Sequence, residues 1–336
     1  MLKAAIVGAS GYAGHQLALL CTRHPEIELT GLYVSPNSQD KDRRIDSLYG
    51  DLSGRCALPL QGLSLDKVPQ VAQDLDVVFL ATEHKTAHDE APLFIAQGCC
   101  VCDLSGAYRV PERSFYERYY GFSHEHPELL AKAVYGLCEW CDPQALKEAQ
   151  LISLPGCYPT ASELALKPLY AANLLDESIR PVINAVSGVS GSGRKASLTN
   201  SFCEVSLNAY GLFTHRHQPE ISYHVGHEVI FNPHLGNFKR GILATITAKL
   251  KQGATVAQCK QALDESYRDH PLVRVKEGTV KLQDVQGLPC CDLSVCGDDE
   301  YIVISSAIDN LLKGAAAQAM QACNLHFGFK EDCALW

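Results

Sequence analysis

Short apolar runs alternate with segments of helical spacing through the first third of the chain. Apolar runs bounded by turn residues predict buried strands, and apolar positions at helical spacing predict helices. The predicted strands are Ala4–Gly8, Ile27–Val34, Asp76–Ala81, Cys100–Leu104 and Leu151–Leu154, and the predicted helices are Tyr12–Arg23 and Thr86–Gln97. Strands that alternate with helices in this way indicate an α/β fold with a doubly wound parallel sheet.

The pattern changes after Pro155-Gly156. Longer strands with fewer helices between them are predicted at Val182–Ser187, Gly241–Leu250 and Tyr301–Ala307. This arrangement favours a second, α+β domain with a mixed or antiparallel sheet. An alanine-rich helix is predicted at Leu311–Leu325, and the aromatic and charged stretch 111–135 is expected to be a linker.

Composition narrows the class of protein. A chain of 336 residues is long enough for two domains. Its 38 acidic and 29 basic residues give a net charge of −9, which argues against a nucleic-acid partner. No apolar run is long enough to span a bilayer, and Met1-Leu2-Lys3 leads directly into a strand, so we expect no membrane association. Fifteen cysteines then indicate reduced thiols and a cytoplasmic location.

A glycine-rich turn lies between the first predicted strand and the first predicted helix. It reads Gly8-Ala9-Ser10-Gly11-Tyr12-Ala13-Gly14. Glycines at this spacing permit a tight turn and let backbone amides approach a pyrophosphate at the helix N-terminus. A purely structural turn is the alternative, but the position favours a Rossmann-type dinucleotide site formed by Gly8, Ala9, Ser10, Gly11, Tyr12 and Gly14.

The end of the second predicted strand indicates which dinucleotide binds. Sites for NAD usually place an acid there to hold the ribose 2′-hydroxyl. This strand is followed by Ser35 and Ser38, and the first carboxylate is Asp40, with three basic residues after it. A 2′-phosphate fits such a loop better, so we expect NADP(H), although a solvated loop is the alternative.

Cys157 is the candidate nucleophile. It follows a Pro-Gly turn, and Thr160 and Glu163 form a possible capping box that would start a helix just after it. A thiol near a helix N-terminus loses its proton more readily because it feels the positive end of the helix dipole. The other fourteen cysteines lack this setting and are expected to be unreactive where they are buried.

The block His215-Arg216-His217-Gln218-Pro219-Glu220 supplies candidate partners for that thiol. A histidine beside a thiolate can act as general acid and base near neutral pH. A zinc site is the alternative, because His-x-His and Cys138-x-x-Cys141 are ligand-like pairs, but no second pair lies at zinc-finger spacing. We therefore predict no metal, and expect His124 and His126 to be polar loop residues.

Several residues are candidates for binding an anionic substrate. The loop Ser187 to Lys195 is rich in glycine and serine and ends in two cations, which suits a phosphate or a carboxylate. A flexible surface loop is the alternative for this segment. The substrate-binding candidates are Arg109, Ser187, Arg194, Arg216, Glu220 and Arg240.

These blocks together resemble the N-acetyl-γ-glutamyl-phosphate reductase family. The resemblance is carried by Pro155-Gly156-Cys157-Tyr158-Pro159-Thr160 with Pro168, and it continues nearly end to end through these blocks: the Gly8 turn, Asp103 to Arg109, the Ser187 loop, His215 to Ile221, Pro233-His234-Leu235 and Asp309 to Gly314. Several matched blocks in the right order are more specific than any one of them.

The resemblance implies an NADPH-dependent reduction of an acyl phosphate to an aldehyde, through a thioester on Cys157 and with His217 as acid and base. It also implies that Asn310 lies near the nicotinamide. The implied domains are 1–156, completed by the C-terminal segment 310–336, and a substrate domain, 157–309, of the glyceraldehyde-3-phosphate dehydrogenase C-terminal type. Homodimers or homotetramers are expected from the same resemblance.

Two other functions are weighed against this one. An aspartate-semialdehyde dehydrogenase would reduce a different acyl phosphate, but its cysteine block differs from Pro155-Gly156-Cys157-Tyr158. A non-catalytic nucleotide-sensing regulator on the same fold would be expected to lack Cys157 or the histidine pair, and both are present.

Overall fold

The alternation in the first third of the chain folds into a seven-stranded parallel sheet. The computed structural model describes residues 1–336. It divides into two compact units, one formed by Met1–Pro155 with Ala315–Trp336 and the other by Gly156–Gly314. We call the first the nucleotide unit and the second the cysteine unit.

The nucleotide unit contains seven strands and eight helices. Its strands are β1 Leu2–Val7, β2 Ile27–Val34, β3 Leu60–Gly62, β4 Val77–Leu80, β5 Cys100–Asp103, β6 Val134–Tyr135 and β7 Leu151–Ser153. Its helices are α1 Tyr12–Arg23, α2 Ile45–Leu48, α3 Val68–Ala72, α4 His84–Ile95, α5 Arg113–Tyr120, α6 Pro127–Lys132, α7 Pro143–Glu148 and α11 Ala317–His326. The predicted bounds of α1 and β2 coincide with the observed ones.

The order of the strands places a crevice beside β1. The sheet order is β3-β2-β1-β4-β5-β7-β6, so the chain builds outward from β1 in both directions. Residues Ala4 to Val7 are buried because helices cover both faces of a parallel sheet. Ligands of doubly wound sheets bind at the carboxyl ends of the strands where the order reverses, which here is the end of β1.

The stretch 111–135 is not a linker, so that expectation is wrong. It forms α5 and α6 within the nucleotide unit, and the loop between them carries His124, which is fully buried. The His124 ring packs against Tyr108 and Tyr116 at centroid distances of 5.0 and 4.7 Å, and its Nε2 bonds the Ala107 carbonyl at 3.0 Å. Aromatic packing, rather than solvation, explains the composition of this stretch.

The closing segment begins with a π-helical turn, Leu312–Ala316, before α11. Ala317, Ala319 and Ala322 are fully buried, and their small side chains permit close packing of the predicted alanine-rich helix. In the nucleotide unit, Asn324 Oδ1 bonds His24 Nε2 at 3.0 Å. None of the helices has the length and apolar character needed to cross a bilayer.

The cysteine unit is built on a mixed seven-stranded sheet, which confirms the predicted α+β class. Its strands are β8 Val182–Gly188, β9 Asn208–Ala209, β10 Ile230–Gly236, β11 Ile242–Lys249, β12 Val273–Val275, β13 Cys291–Gly297 and β14 Tyr301–Ile308. Its helices are α8 Cys157–Ala171, α9 His217–Val225 and α10 Val256–Tyr267. The order is β12-β13-β14-β11-β8-β10-β9, with only β8/β10 and β12/β13 parallel.

Candidate functional site

The glycine turn after β1 has the close backbone approaches that a dinucleotide site needs. Gly8 has φ +85°, and a Cβ built on it would lie 2.2 Å from the Ala81 carbonyl oxygen. A Cβ on Gly14 would lie 2.4 Å from the Gly8 carbonyl oxygen. Helix α1 begins at Tyr12 with no acidic residue in its first turn. Its first amides have no carbonyl of their own helix to bind, so this end attracts an anion.

The loop after β2 is held by a turn and by ion pairs between its own residues. Ser38 N–H bonds the Ser35 carbonyl at 2.9 Å, which closes a turn. Arg43 pairs with Asp40 at 3.1 Å, and Arg44 pairs with Asp46 at 2.6 Å. Two of the three basic residues that the sequence suggested for a 2′-phosphate are therefore already paired, and Ser35 and Ser38 remain the candidates at the strand end.

Cys157 is the first residue of α8, one turn earlier than the sequence suggested. The predicted capping box is wrong: the N-cap is Gly156, and Thr160 instead donates its hydroxyl to the Gly156 carbonyl at 3.0 Å. Helix α8 has no acidic residue in its first turn, and the carboxylate at its N-cap is that of Glu220 in α9. The thiol is half-buried, which leaves it open to a reagent or substrate.

Glu220 fixes the turn that precedes the thiol. Its Oε1 accepts a hydrogen bond from the Gly156 N–H at 2.8 Å, and the residue is fully buried. The contact joins the N-cap of α8 to helix α9 across a separation of 64 residues. A carboxylate that accepts a backbone N–H makes one of the stronger hydrogen bonds in proteins. Glu220 therefore holds the backbone on which Cys157 is carried.

The two histidines of the block are differently placed. The His217 backbone N–H donates to His215 Nδ1 at 3.1 Å, so the lone pair on that nitrogen is already used. Burial, followed by the nearby charge of Arg216, lowers the pKa of His215 to about 4. His215 is consequently neutral at pH 7. The two rings lie 4.8 Å apart, and both contact the ring of Tyr158 next to the thiol.

Tyr158 and Tyr210 belong to the same cluster and were not selected from the sequence. Tyr158 donates its hydroxyl to the His234 carbonyl at 3.0 Å and lies 3.4 Å from the Tyr210 hydroxyl. Burial raises the pKa of Tyr210, and the nearby Cys157 thiol raises it further. The only sequence signal for Tyr158 was its place directly after the cysteine.

Gly314 lies against the candidate nucleophile. A Cβ on Gly314 would come within 2.9 Å of Cys157 Cβ and 3.1 Å of Ile308 Cδ1. Nothing in the alanine-rich context of Gly314 distinguished it as a site residue. Its role is to leave room for Cys157 at the start of α8.

Asn310 and Arg240 hold the loops at the ends of β8 and β14. Asn310 accepts the Gly241 N–H at 2.7 Å and donates to Ser190 Oγ at 3.1 Å. Arg240 Nε bonds the carboxylate of Asp309, which is fully buried, at 2.6 Å. Asn310 and Arg240 thus belong to a single hydrogen-bond network near the loop Ser187 to Lys195. Their roles in binding cofactor and substrate stay predictions.

The remaining substrate candidates are placed differently from one another. Ser187 is nearly buried at the end of β8, whereas Arg194 and Arg216 are exposed. Arg109 is buried in the nucleotide unit, where its guanidinium donates to the carbonyls of Leu104 and Leu154 at 2.8 Å each. Of these arginines, Arg216 carries the charge that influences both His215 and Tyr210.

One cluster has metal-ligand geometry, and it is not one of the pairs weighed from the sequence. His88, Asp89 and His126 of the nucleotide unit bring their ligand atoms within 4.8 Å of one another. His88 Nδ1 bonds Asp89 Oδ1 at 2.7 Å, and its Nε2 accepts the Glu125 N–H at 3.0 Å. A metal ion bound to His88 Nδ1 would require the ring proton to be on Nε2. That proton would then face the Glu125 N–H, and the hydrogen bond between them would be lost. The geometry suits a neutral histidine better than a ligand.

Two family models match the chain. Residues 3–149 match the semialdehyde dehydrogenase NAD binding domain, and residues 157–310 match the semialdehyde dehydrogenase dimerisation domain. The N-acetyl-gamma-glutamyl-phosphate reductase of Pasteurella multocida (strain Pm70) is 57% identical over 336 residues, which is 100% of both chains. The protein of the same name from Escherichia coli (strain K12) is 55% identical over the same length.

Solved structures share the fold at low sequence identity. Aspartate semialdehyde dehydrogenase II from Vibrio cholerae, complexed with ASA, superposes with a TM-score of 0.72 at 15% identity, covering 98% of each chain. A probable aspartate-semialdehyde dehydrogenase from Pseudomonas aeruginosa gives 0.71 at 21% identity, covering 97% of this chain and 98% of that one. These likenesses show the fold of both units.

Proposed function

The chain belongs to the semialdehyde dehydrogenase family, and we propose that it reduces N-acetyl-γ-glutamyl phosphate to N-acetylglutamate 5-semialdehyde and phosphate, a step of arginine biosynthesis. The observation that carries the proposal is the placement of Cys157 at the N-terminus of α8 beside the His215–His217 pair. The reductase relatives, at 55–57% identity over the full chain, support the choice of substrate.

Cys157 is the nucleophile. The N-terminal charge of α8 favours its thiolate, which attacks the acyl-phosphate carbonyl and forms a carbon–sulfur bond while the carbon–oxygen bond to phosphate breaks. The product is a thioester on Cys157 and free phosphate. Backbone amides at the start of α8 support the oxyanion that develops on the carbonyl.

His217 is the general acid and base. Its ring contacts Tyr158, the neighbour of Cys157, whereas His215 is held neutral and turned toward the His217 backbone. His217 takes the thiol proton before attack. When the reduced thioester, a thiohemiacetal, collapses to the aldehyde, its carbon–sulfur bond breaks and His217 returns the proton to the departing Cys157 sulfur. Glu220 is a positioning residue in this scheme because it acts through Gly156 and is fully buried.

The cofactor is a nicotinamide dinucleotide, as the match to an NAD binding domain indicates, and we propose that it is NADP(H). When bound, it supplies the hydride that reduces the thioester. The crowded turn of Gly8, Ala9, Ser10, Gly11, Tyr12 and Gly14 fits a pyrophosphate. Ser35 and Ser38 would face the 2′-phosphate with no carboxylate at the end of β2, and Asn310 would lie near the nicotinamide.

We assign substrate binding to the predicted polar and charged residues. Arg216 is the first candidate for the anionic groups of the substrate because its charge reaches His215 and Tyr210. Ser187, Arg194 and Arg240 line the loop at the end of β8, and Arg109 supports the end of the nucleotide sheet. We further propose a homodimer or homotetramer in the cytoplasm, where the fifteen cysteines, none of them in a disulfide, stay reduced.

The test is a comparison of substrates and cofactors. Purified protein should oxidise NADPH with N-acetyl-γ-glutamyl phosphate and, in reverse, form NADPH from N-acetylglutamate semialdehyde and phosphate. NADH and β-aspartyl phosphate should each give a much lower kcat/KM. A preference for β-aspartyl phosphate would make the protein an aspartate-semialdehyde dehydrogenase, and nucleotide binding without turnover would favour a regulator.

A further inference from the structure

An uncovered run of apolar side chains lies in the cysteine unit just before the histidine block. We call residues 198–213 the apolar segment. It holds six of the twelve large hydrophobic side chains that the whole chain exposes: Leu198, Phe202, Leu207, Tyr210, Leu212 and Phe213. Phe202 is 94% exposed and Leu198 is 78% exposed. Scattered exposed apolar residues are ordinary, but six within one short segment indicate a binding surface.

The apolar segment also has an open sheet edge and almost no charge. It contains β9, which pairs with β10 alone and ends the sheet order. An edge strand presents backbone groups that another chain can bind. Glu204 is the only charged residue between 198 and 213, although the whole chain has a net charge of −9. Two copies of an acidic chain repel one another least where their surfaces are nearly neutral.

We infer that the apolar segment is covered by a second copy of this chain, and that this contact holds His215 and His217 in place. The occupant is argued from three observations: the segment lies within the match to a dimerisation domain, it is nearly uncharged in an acidic protein, and it carries an open edge strand. The inference rests on the self-association proposed above and adds the surface and its consequence for the site.

The consequence follows from how the apolar segment joins the site. Tyr210 bonds the Pro233 carbonyl through its N–H at 3.1 Å, and its hydroxyl lies 3.4 Å from that of Tyr158. The next residues form a turn closed by the His215 N–H on the Gly211 carbonyl at 2.8 Å. Phe213 stands in this turn with φ +57°, a strained backbone for a bulky exposed side chain. A partner that buries Phe213 and Leu212 would fix the turn, and with it His215 and His217.

Two exposed cysteines allow a test on the unaltered protein. Cys203 lies in the apolar segment, and Cys296 lies at the end of β13; they are the only exposed cysteines. Brief N-ethylmaleimide labelling followed by peptide mass spectrometry gives the rate at each thiol. Burial of an interface core excludes the reagent, so Cys203 should react at least about tenfold more slowly in concentrated protein than after dilution below the dissociation point, while Cys296 should not change.

A variant separates the interface from the chemistry. Leu207→Asp places a charge at an exposed position that is not one of the proposed site residues, and Leu198→Asp is a second variant if the first does not fold. Leu65→Asp, at an exposed leucine of the nucleotide unit, is the matched control. Sedimentation should give the wild type and control a mass of at least twice the 36.6 kDa chain, and Leu207→Asp the mass of one chain. The Leu207→Asp protein should also have lower reductase activity than the wild type and the control.

Each outcome decides a part of the inference. A wild type that sediments as one chain, or a Leu207→Asp protein that keeps its mass and its protected Cys203, overturns the interface. Dissociation with full activity overturns the link to the histidines. A wild type without reductase activity would instead refute the proposed function, because mass and labelling report the interface independently of turnover.

Discussion

At the scale of residues, the Cys157 thiol, proposed as the nucleophile, is confined by its neighbours. Glu220 holds the amide before it, Tyr158 follows it, and Gly314 lies against its Cβ. Removing the acceptor from a buried N–H costs about 1–3 kcal/mol, so the Glu220 contact contributes to stability as well as to geometry. The thiol is therefore positioned before any substrate arrives.

The histidine pair gives the first prediction at this scale. His217→Asn should lower kcat by about 10²–10⁴-fold, the usual effect of a positioned acid and base. His215→Asn should cost far less, because the pKa of His215 is lowered to about 4 and its ring is neutral at pH 7 in any case. Profiles of kcat/KM against pH check this. The kcat/KM of His217→Asn should be the lower of the two across the profile, whereas a large loss from His215→Asn with a nearly silent His217→Asn would show that the roles are reversed.

Gly314 gives the second prediction at this scale. The Cβ of Gly314→Ala would lie 2.9 Å from Cys157 Cβ, and neither atom can move without shifting α8 or the π-helical turn Leu312–Ala316. Overpacking of this kind costs about 1–3 kcal/mol. The variant should unfold at lower denaturant and alkylate Cys157 at an altered rate. Gly50→Ala, whose Cβ would meet no atom within 4 Å, is the control. Equal behaviour of the two variants would contradict the contact.

At the scale of elements, we expect the loop after β2 to determine which of NADP(H) and NAD(H) binds. Ser35→Asp would set a carboxylate where the 2′-phosphate is expected. Two like charges about 4 Å apart near a protein surface repel by roughly 1–4 kcal/mol. The kcat/KM for NADPH should therefore fall at least about tenfold, while that for NADH holds or rises. Ser35→Asn, of the same shape but uncharged, is the control, and an equal loss with both variants would remove the electrostatic explanation.

Elements with a clear period were predictable from the sequence, and elements set by distant contacts were not. Helix α1 and strand β2 coincide with their predicted bounds because α1 buries residues at helical spacing and β2 is a short apolar run bounded by polar residues. The helices within 111–135 were missed because their burial depends on aromatic partners elsewhere. The start of α8 was misplaced because its cap is anchored by Glu220, 64 residues away.

The same division holds within the candidate site. Cys157, His215 and His217 stand in local motifs whose residue types indicate a nucleophile and an acid or base. Tyr210 and Gly314 do not, since their place in the site depends on the packing of β9 and on the turn after β14. Local sequence therefore selected the candidate reacting groups and not the groups that confine them.

At the scale of the whole molecule, buried acids make stability depend on pH. Glu90 is 5% exposed, and burial, followed by the charges of Asp89 and Asp103, raises the pKa of its carboxyl to about 7 from 4.5. Between these values the unfolded chain loses the proton and the folded chain keeps it. Wild-type stability therefore falls as pH rises from about 4.5 to about 7, by roughly 3 kcal/mol for this group.

Glu90→Gln should remove that dependence because an amide does not ionise. The variant should gain stability over the wild type at pH 8 and show a much smaller difference at pH 5. Denaturant unfolding at both pH values measures this, and titrations shared by the two proteins, such as that of His124, cancel in the comparison. The same difference at pH 5 and pH 8 would mean that Glu90 titrates normally.

The most direct test of the whole account is to trap the acyl group. Wild-type protein mixed with N-acetyl-γ-glutamyl phosphate and no NADPH should release phosphate in a burst of up to one per active site. Mass spectrometry should then find the acyl group on the peptide spanning Leu151 to Lys167, with Cys157 as its only cysteine. Cys157→Ser should bind NADPH normally and show neither burst nor turnover, because a serine hydroxyl stays protonated at neutral pH. Acyl label on another cysteine, or full activity in Cys157→Ser, would contradict the mechanism.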